Sequence, residues 1–165
     1  ILVGADSGAR TLEDLRGGIC AINDWDSQSG MNVLRHTIAP LAREGRFFGE
    51  VKVAGKHQLS IAMIARGEAD IAAIDCVTHA LIGDVEPERL LGTRVLDQSL
   101  PAPGLPFITR TDMSDQEARH MVAAIEEAFR DSELAGARRT LRLSDFVFVP
   151  LQDYANAMIK KAAIT

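Results

Sequence analysis

Four side chains, widely spaced along the sequence, carry most of the available chemistry: the hydroxyls of Ser27 and Ser29, the imidazole of His57 and the carboxylate of Asp75. Hydroxyls and an imidazole can donate hydrogen bonds to an oxyanion. So can the backbone at the start of a helix, where the first turn of N–H groups lacks acceptors and the dipole is positive. Ser27-Gln28-Ser29-Gly30 stands at such a place. It follows the apolar run Ile19–Ile22, which reads as a buried strand, and precedes Met31–Ala39, whose apolar residues recur at helical spacing. The N–H groups of Gln28, Ser29, Gly30 and Met31 can point at an anion there. Gly30 lets the backbone approach closely, with no Cβ in the way. The competing reading is an ordinary helix cap, in which Asp26 or Ser27 satisfies the helix's own donors.

The same handover from strand to polar loop to helix occurs twice more. The alternating run Glu50–Ala54 leads into Gly55-Lys56-His57, and the continuous apolar run Ile71–Ile74 leads into Asp75. In open parallel sheets, ligands bind beyond the carboxyl ends of the strands, so all three clusters fall on one rim. His57 brings an imidazole and a second helix start. Asp75 does not favour an anion directly; it orients His57, accepts from a ligand hydroxyl, pairs with a ligand ammonium, or simply caps its helix. Trp25, the only tryptophan, either walls the site or anchors its loop in the core. Lys56 reads as solvated, and His36, His79 and His120 as surface residues of helices. No His, Cys or acidic residues are spaced as a metal set, and neither metal nor cofactor is expected.

The elements that must hold this rim follow from composition and pattern. The 165 residues are 47% hydrophobic and 25% charged, ordinary for a globular protein. A net charge of −5 argues against a nucleic-acid role, so an anion site has to be local. No run approaches the roughly 20 apolar residues of a membrane span. The chain opens on Ile1-Leu2-Val3 and shows no signal peptide: either none existed or the front has been removed. Cys20 and Cys76 both sit in apolar contexts and read as buried thiols, with a disulfide as the alternative.

Along the chain the pattern predicts a helical turn at 11–15, strands at 19–22, 50–54, 71–74 and 93–96, and helices at 29–41, 57–66 and 76–82. That alternation implies an α/β fold with a mostly parallel sheet flanked by helices. Ser99–Pro106, with three prolines and a glycine, breaks the chain. Beyond it come a strand at Phe107–Arg110, a helix at Asp115–Arg130 with the stripe Ala118, Met121, Val122, Ile125, Ala128 and Phe129, and a shorter helix at 133–140. The segment Phe146–Val149 and a helix at 151–161 close the chain. Residues 9–98 are expected to form one ligand-binding lobe. Residues 1–8 and 99–165 would supply the crossings between lobes and the C-terminal part of the other.

Taken together these motifs resemble the phosphate/phosphonate ABC-transporter substrate-binding proteins, which have a type 2 periplasmic-binding fold. Ser7-Gly8 with Leu12–Gly17 resembles the family's opening into its second lobe. Asn23-Asp24 with Asp26–Gly30 resembles its S-T-S-G anion loop, and Gly55-Lys56-His57 its G-S-H turn. Glu68–Asp75 is similar to the strand that follows, and Phe146-Val147 through Asp153-Tyr154 to the closing segment. The resemblance implies an exported, periplasmic, two-lobed protein that closes on a small oxyanion and delivers it to a membrane ABC permease. In it, Ser27, Gln28, Ser29 and His57 would hold the phosphate or phosphonate oxygens. Gln28 stands where the family usually has Thr, and Lys56 where it has Ser. Val77 and Leu105 occupy the positions of the acids that receive the amine in aminoalkylphosphonate binders. That departure argues against 2-aminoethylphosphonate, although Asp75 lies close enough to substitute for those acids. The family's first-lobe aromatic contacts and opening strands are expected to precede residue 1.

Two other classes compete with solute binding. A ligand-sensing module of a regulator would use the same fold. A hydrolase would use Ser27 or Ser29 with His57 and Asp75, but the G-x-S-x-G elbow that exposes a nucleophile is missing. The expectation is a binding protein and not an enzyme.

Overall fold

Alternation along a few short strands places the core and, with it, the rim. The computed structural model describes residues 1–150 and 152–154. Two compact units result, the first from Ile1 to Pro101 and the second from Ala102 onward. Five strands build the first: β1 (Leu2–Gly4), β2 (Ile19–Ile22), β3 (Glu50–Val53), β4 (Ile71–Ala72) and β5 (Thr93–Val95), in the order β3-β2-β4-β1-β5. β2 pairs parallel with β3 and β4, while β1 pairs antiparallel with β4 and β5. Four strands therefore share one direction, and one reversed strand is inserted among them. The sequence pattern assigns Val3–Gly8 to a connection. Leu2–Gly4 is in addition a strand, and three residues are too few to show a period.

β2 sends Cys20 and Ile22 to one face, with Val3 and Ile71, and Ala21 to the other, with Ala72. Against the first face lie Leu34 and Ile38 of α1 (Val33–Ile38), together with Phe47 and Phe48, whose rings meet edge to face at 4.9 Å. On the second, Ile64 of α2 (His57–Ala65) clusters with the two alanines, whose small side chains let the helix lie close to the sheet. Ile61 joins Leu2 and Ile82 of α3 (Cys76–Val85). Each fully buried side chain of this size contributes about 1.5–3 kcal/mol. A sheet covered on both faces is the rigid platform on which the rim stands.

The helix expected at 29–41 forms in three pieces: a π-helical turn at Gln28–Asn32, α1, and a 3-10 turn at Ala39–Leu41 that carries Pro40. Gly17 and Gly67 end their turns with φ of 78° and 70°, as expected of residues without a Cβ. Cys20 is buried, and burial pushes its thiol up to about 12. Cys76 is exposed, contrary to expectation, because it is the first residue of α3, and both cysteines are free thiols.

In the second unit Ser114 caps α4 (Asp115–Arg130), residue for residue the helix expected, and α5 (Ala135–Thr140) follows. The strand expected at Phe107–Arg110 does not form. A strand needs a ladder of partners, and no strand lies among the described residues of this unit; Phe107 is 65% and Ile108 88% exposed. None of the unit's described residues is fully buried. The helix expected at 151–161 is helical at 152–154 and otherwise lies outside the described residues.

Candidate functional site

Two of the predicted rim loops bring their chemistry into contact. Ser29 Oγ, in the π-helical turn that follows β2, lies 3.2 Å from Nε2 of His57, the first residue of α2 after β3. The parallel register that sets Ile22 beside Val53 makes this possible, because both strands end at the same level. Gly55, at φ 86°, turns the chain back, and extended Lys56 delivers His57 to the first position of α2.

The local geometry of the first loop answers the question of the cap. Asp24 Oδ1 accepts from the Asp26 N–H at 2.8 Å, closing a small turn. Ser27, not Asp26, is the cap: its Oγ accepts from the Gly30 N–H at 3.0 Å. That donor is thus engaged within the protein. Gln28 is exposed and its Oε1 accepts from Asn32 Nδ2 at 3.3 Å. Gly30 is buried, and a Cβ there would sit 1.7 Å from Asn23 Oδ1, so no other residue fits without displacing Asn23. Trp25 is 53% exposed, which removes its reading as a core anchor.

α2 begins without any side-chain cap. Donors in a first helical turn have no intrahelical acceptor, so this start is chemically open. α3 begins differently: Asp75 Oδ1 accepts from the Thr78 N–H at 2.7 Å, a capping bond that neutralises one donor. Asp75 also acts on His57 at a distance. Burial lowers the imidazole pKa below its ordinary value of 6.5, while the charge of Asp75 and the Ala73 carbonyl pull it back up. Burial wins, so His57 is neutral near pH 7. Its Nδ1 is buried and makes no hydrogen bond of good geometry.

Of the residues singled out in the sequence, the structure unites Ser27, Ser29, Gly30 and His57, and links Asp75 to them through its charge. The sequence reading omitted Asn23 from the site, although it is the first polar residue after β2 and its side chain packs over Gly30. Lys56 is exposed, as expected. No group of three or more His, Cys, Asp and Glu that could hold a metal lies among the described residues. No helix among them is long and apolar enough to cross a membrane.

Comparison with known proteins now adds to this geometry. Residues 1–154 match the family described as ABC transporter, phosphonate, periplasmic substrate-binding protein. The chain belongs to this family. Comparison with the curated proteins gives no match. Among solved structures, a Xanthomonas citri protein bound to chloride ion superposes with a TM-score of 0.75 at 16% identity, over 95% of this chain and 62% of that one. The same protein bound to ATP gives 0.74 at 16% identity and the same coverage of 95% and 62%. The binding protein component of an ABC phosphonate transporter from Pseudomonas aeruginosa gives 0.67 at 19% identity, over 88% of this chain and 49% of that one. At such identities the likeness is one of fold, the α/β architecture of periplasmic binding proteins. This family member spans 62% of the first of these structures and 49% of the last.

Proposed function

We propose that the chain is the solute-binding component of an ABC uptake system, periplasmic in location, which takes a small phosphate- or phosphonate-like oxyanion and passes it to a membrane permease. Family membership supports the solute-binding role, and one observation carries the assignment to this rim: Ser29 Oγ and His57 Nε2 lie 3.2 Å apart at two strand ends. A single oxyanion placed above the pair can accept from both. The Ser27 hydroxyl and the uncapped start of α2 add donors around it. In this reading residues 9–98 form the ligand-binding lobe, and Gln28, Gly30, Trp25 and Asp75 complete its ligand contacts. No covalent step is involved; fixed dipoles and hydroxyls do the binding.

The Ser29–His57 contact also has the outline of a nucleophile and its base. Against that reading, Asp75 is committed to capping α3 and makes no hydrogen bond to the ring. Calorimetric titration with methylphosphonate and with inorganic phosphate tests the binding assignment. Binding is expected to be lost on the order of 1.5–3 kcal/mol in Ser29→Ala, the worth of one hydrogen bond to a charged group. Unchanged affinity in both Ser29→Ala and His57→Gln would place the ligand elsewhere.

A further inference from the structure

A neutral imidazole carries one ring proton, and the bond made by one nitrogen settles which of the two holds it. Nε2 of His57 lies 3.2 Å from the Ser29 hydroxyl, a group that can either donate or accept. The ring also meets the carbonyl of Ala73, just past β4, and a carbonyl only accepts. That contact falls short of good hydrogen-bond geometry, and Nδ1 is shut off from solvent. With Nε2 committed to Ser29, the proton that faces Ala73 is the one on Nδ1. The reverse tautomer would leave a bare, buried nitrogen and a carbonyl oxygen lone pair to lone pair, a costly arrangement.

Nε2 is then an acceptor, and in the free protein the Ser29 hydroxyl donates to it. An anion with no proton of its own would bring a lone pair against that nitrogen. An anion that keeps one O–H can donate to it. We propose that His57 determines specificity by this difference: its Nδ1–H is held toward Ala73, and its bare Nε2 accepts from the O–H of a protonated oxyanion while the Ser29 hydroxyl turns to donate to a second oxygen. The inference rests on the reading of the rim as an oxyanion site, and it narrows the ligand class. Phosphate keeps at least one O–H across the neutral range, and a phosphonate keeps one until its second ionisation. Sulfate and sulfonates keep none, so shape and charge alone do not admit a ligand. The groups around the ring set the background. Burial keeps it neutral near neutral pH, against the pull of Asp75 at the head of α3. Lys56, beside the ring in sequence, is exposed, as are Asp24 and Asp26 in the loop of Ser29.

The test combines ring-nitrogen NMR of the histidines with calorimetry on matched ligands. In the free protein near neutral pH, His57, assigned by its loss in His57→Gln, should show Nδ1 protonated and Nε2 bare. An Nε2–H ring or an imidazolium would overturn the proposal. Phosphate should bind on the order of a hundredfold or more tighter than sulfate, and methylphosphonate likewise tighter than methanesulfonate, because a site built to bond a ligand hydroxyl rejects the analogue lacking it. Raising the pH through the second ionisation of methylphosphonate should weaken its binding on the order of tenfold, the worth of one hydrogen bond, while phosphate holds its affinity. Sulfate binding as tightly as phosphate, or methylphosphonate affinity that stays flat or rises through that ionisation, would also overturn it. The reading of the rim fails on a different result: Ser29→Ala and His57→Gln both binding phosphate and methylphosphonate like wild type. That outcome removes this proposal with it, whereas loss of binding in those variants beside undiminished sulfate affinity removes the proposal alone.

Discussion

Ser27 and Ser114 perform the same local task in different units, each accepting a hydrogen bond from the N–H three residues on. At Ser114 that third residue is Glu117, whose carboxylate returns to the Ser114 N–H at 2.8 Å and also accepts from its hydroxyl and from Arg110. The box is closed, and Asp115 and Glu117 make its first turn acidic, which repels anions. At Ser27 the third residue is Gly30, which has no side chain to return, and the first turn holds no acid. Into that opening come Asn23 and His57 from elsewhere in the unit. A serine cap is therefore not a site by itself; what occupies the third position decides whether the helix start is sealed or left for something else.

The comparison breaks most directly through the binding energy. Ser27→Ala with Ser29→Ala should weaken phosphate binding by about 3–6 kcal/mol, two hydrogen bonds to a charged group. Ser114→Ala should leave calorimetric affinity untouched, and any loss there would mean the two starts are not different in kind. Next comes the platform beneath each. Phe47 is among the most buried side chains, so Phe47→Ala should cost about 3–5 kcal/mol in denaturant unfolding. Phe129, only partly covered, should cost clearly less; equal losses would reveal a core in the second unit. A smaller effect is the cap itself. Ser114→Ala should destabilise α4 by about 1 kcal/mol, read as faster amide exchange in its first turn.

The smallest expected effects are in pH, and their windows separate the units. His57 has a lowered pKa when folded, so the unfolded chain binds the proton more readily. Its destabilising contribution is absent well above 6.5 and grows as the pH falls through that value toward the folded pKa. Glu117 is held below its ordinary 4.5, first by the Ser114 N–H. Its stabilisation is present above 4.5 and fades below it as the carboxylate protonates. The stability of the first unit should therefore fall from near-neutral pH downward, and His57→Gln should flatten that slope, while the α4 cap loosens only in stronger acid.

Much of this was legible along the chain because the signals are local. The apolar stripe from Ala118 to Phe129 predicts α4 to the residue. The alternation of Cys20, Ala21 and Ile22 marks a strand with two covered faces. The strand ends pointed to Ser29 and His57 before any distance was known. The failures were of another kind. Phe107–Arg110 has the composition of a strand but no strand to pair with among the described residues of its unit, and Leu2–Gly4 is a strand only because β4 and β5 flank it. Cys76 has apolar neighbours in sequence and solvent in space.

By itself the sequence determined where the chain turns, caps and alternates, since φ preferences, missing N–H groups and side-chain period act over a few residues. Only the tertiary structure decided that Ser29 meets His57, that Ser27 holds the Gly30 amide, and that Asn23 fills the space a Cβ would take. Those contacts depend on the register of β2 beside β3 and on the packing of α2 against two alanines, which no local preference encodes.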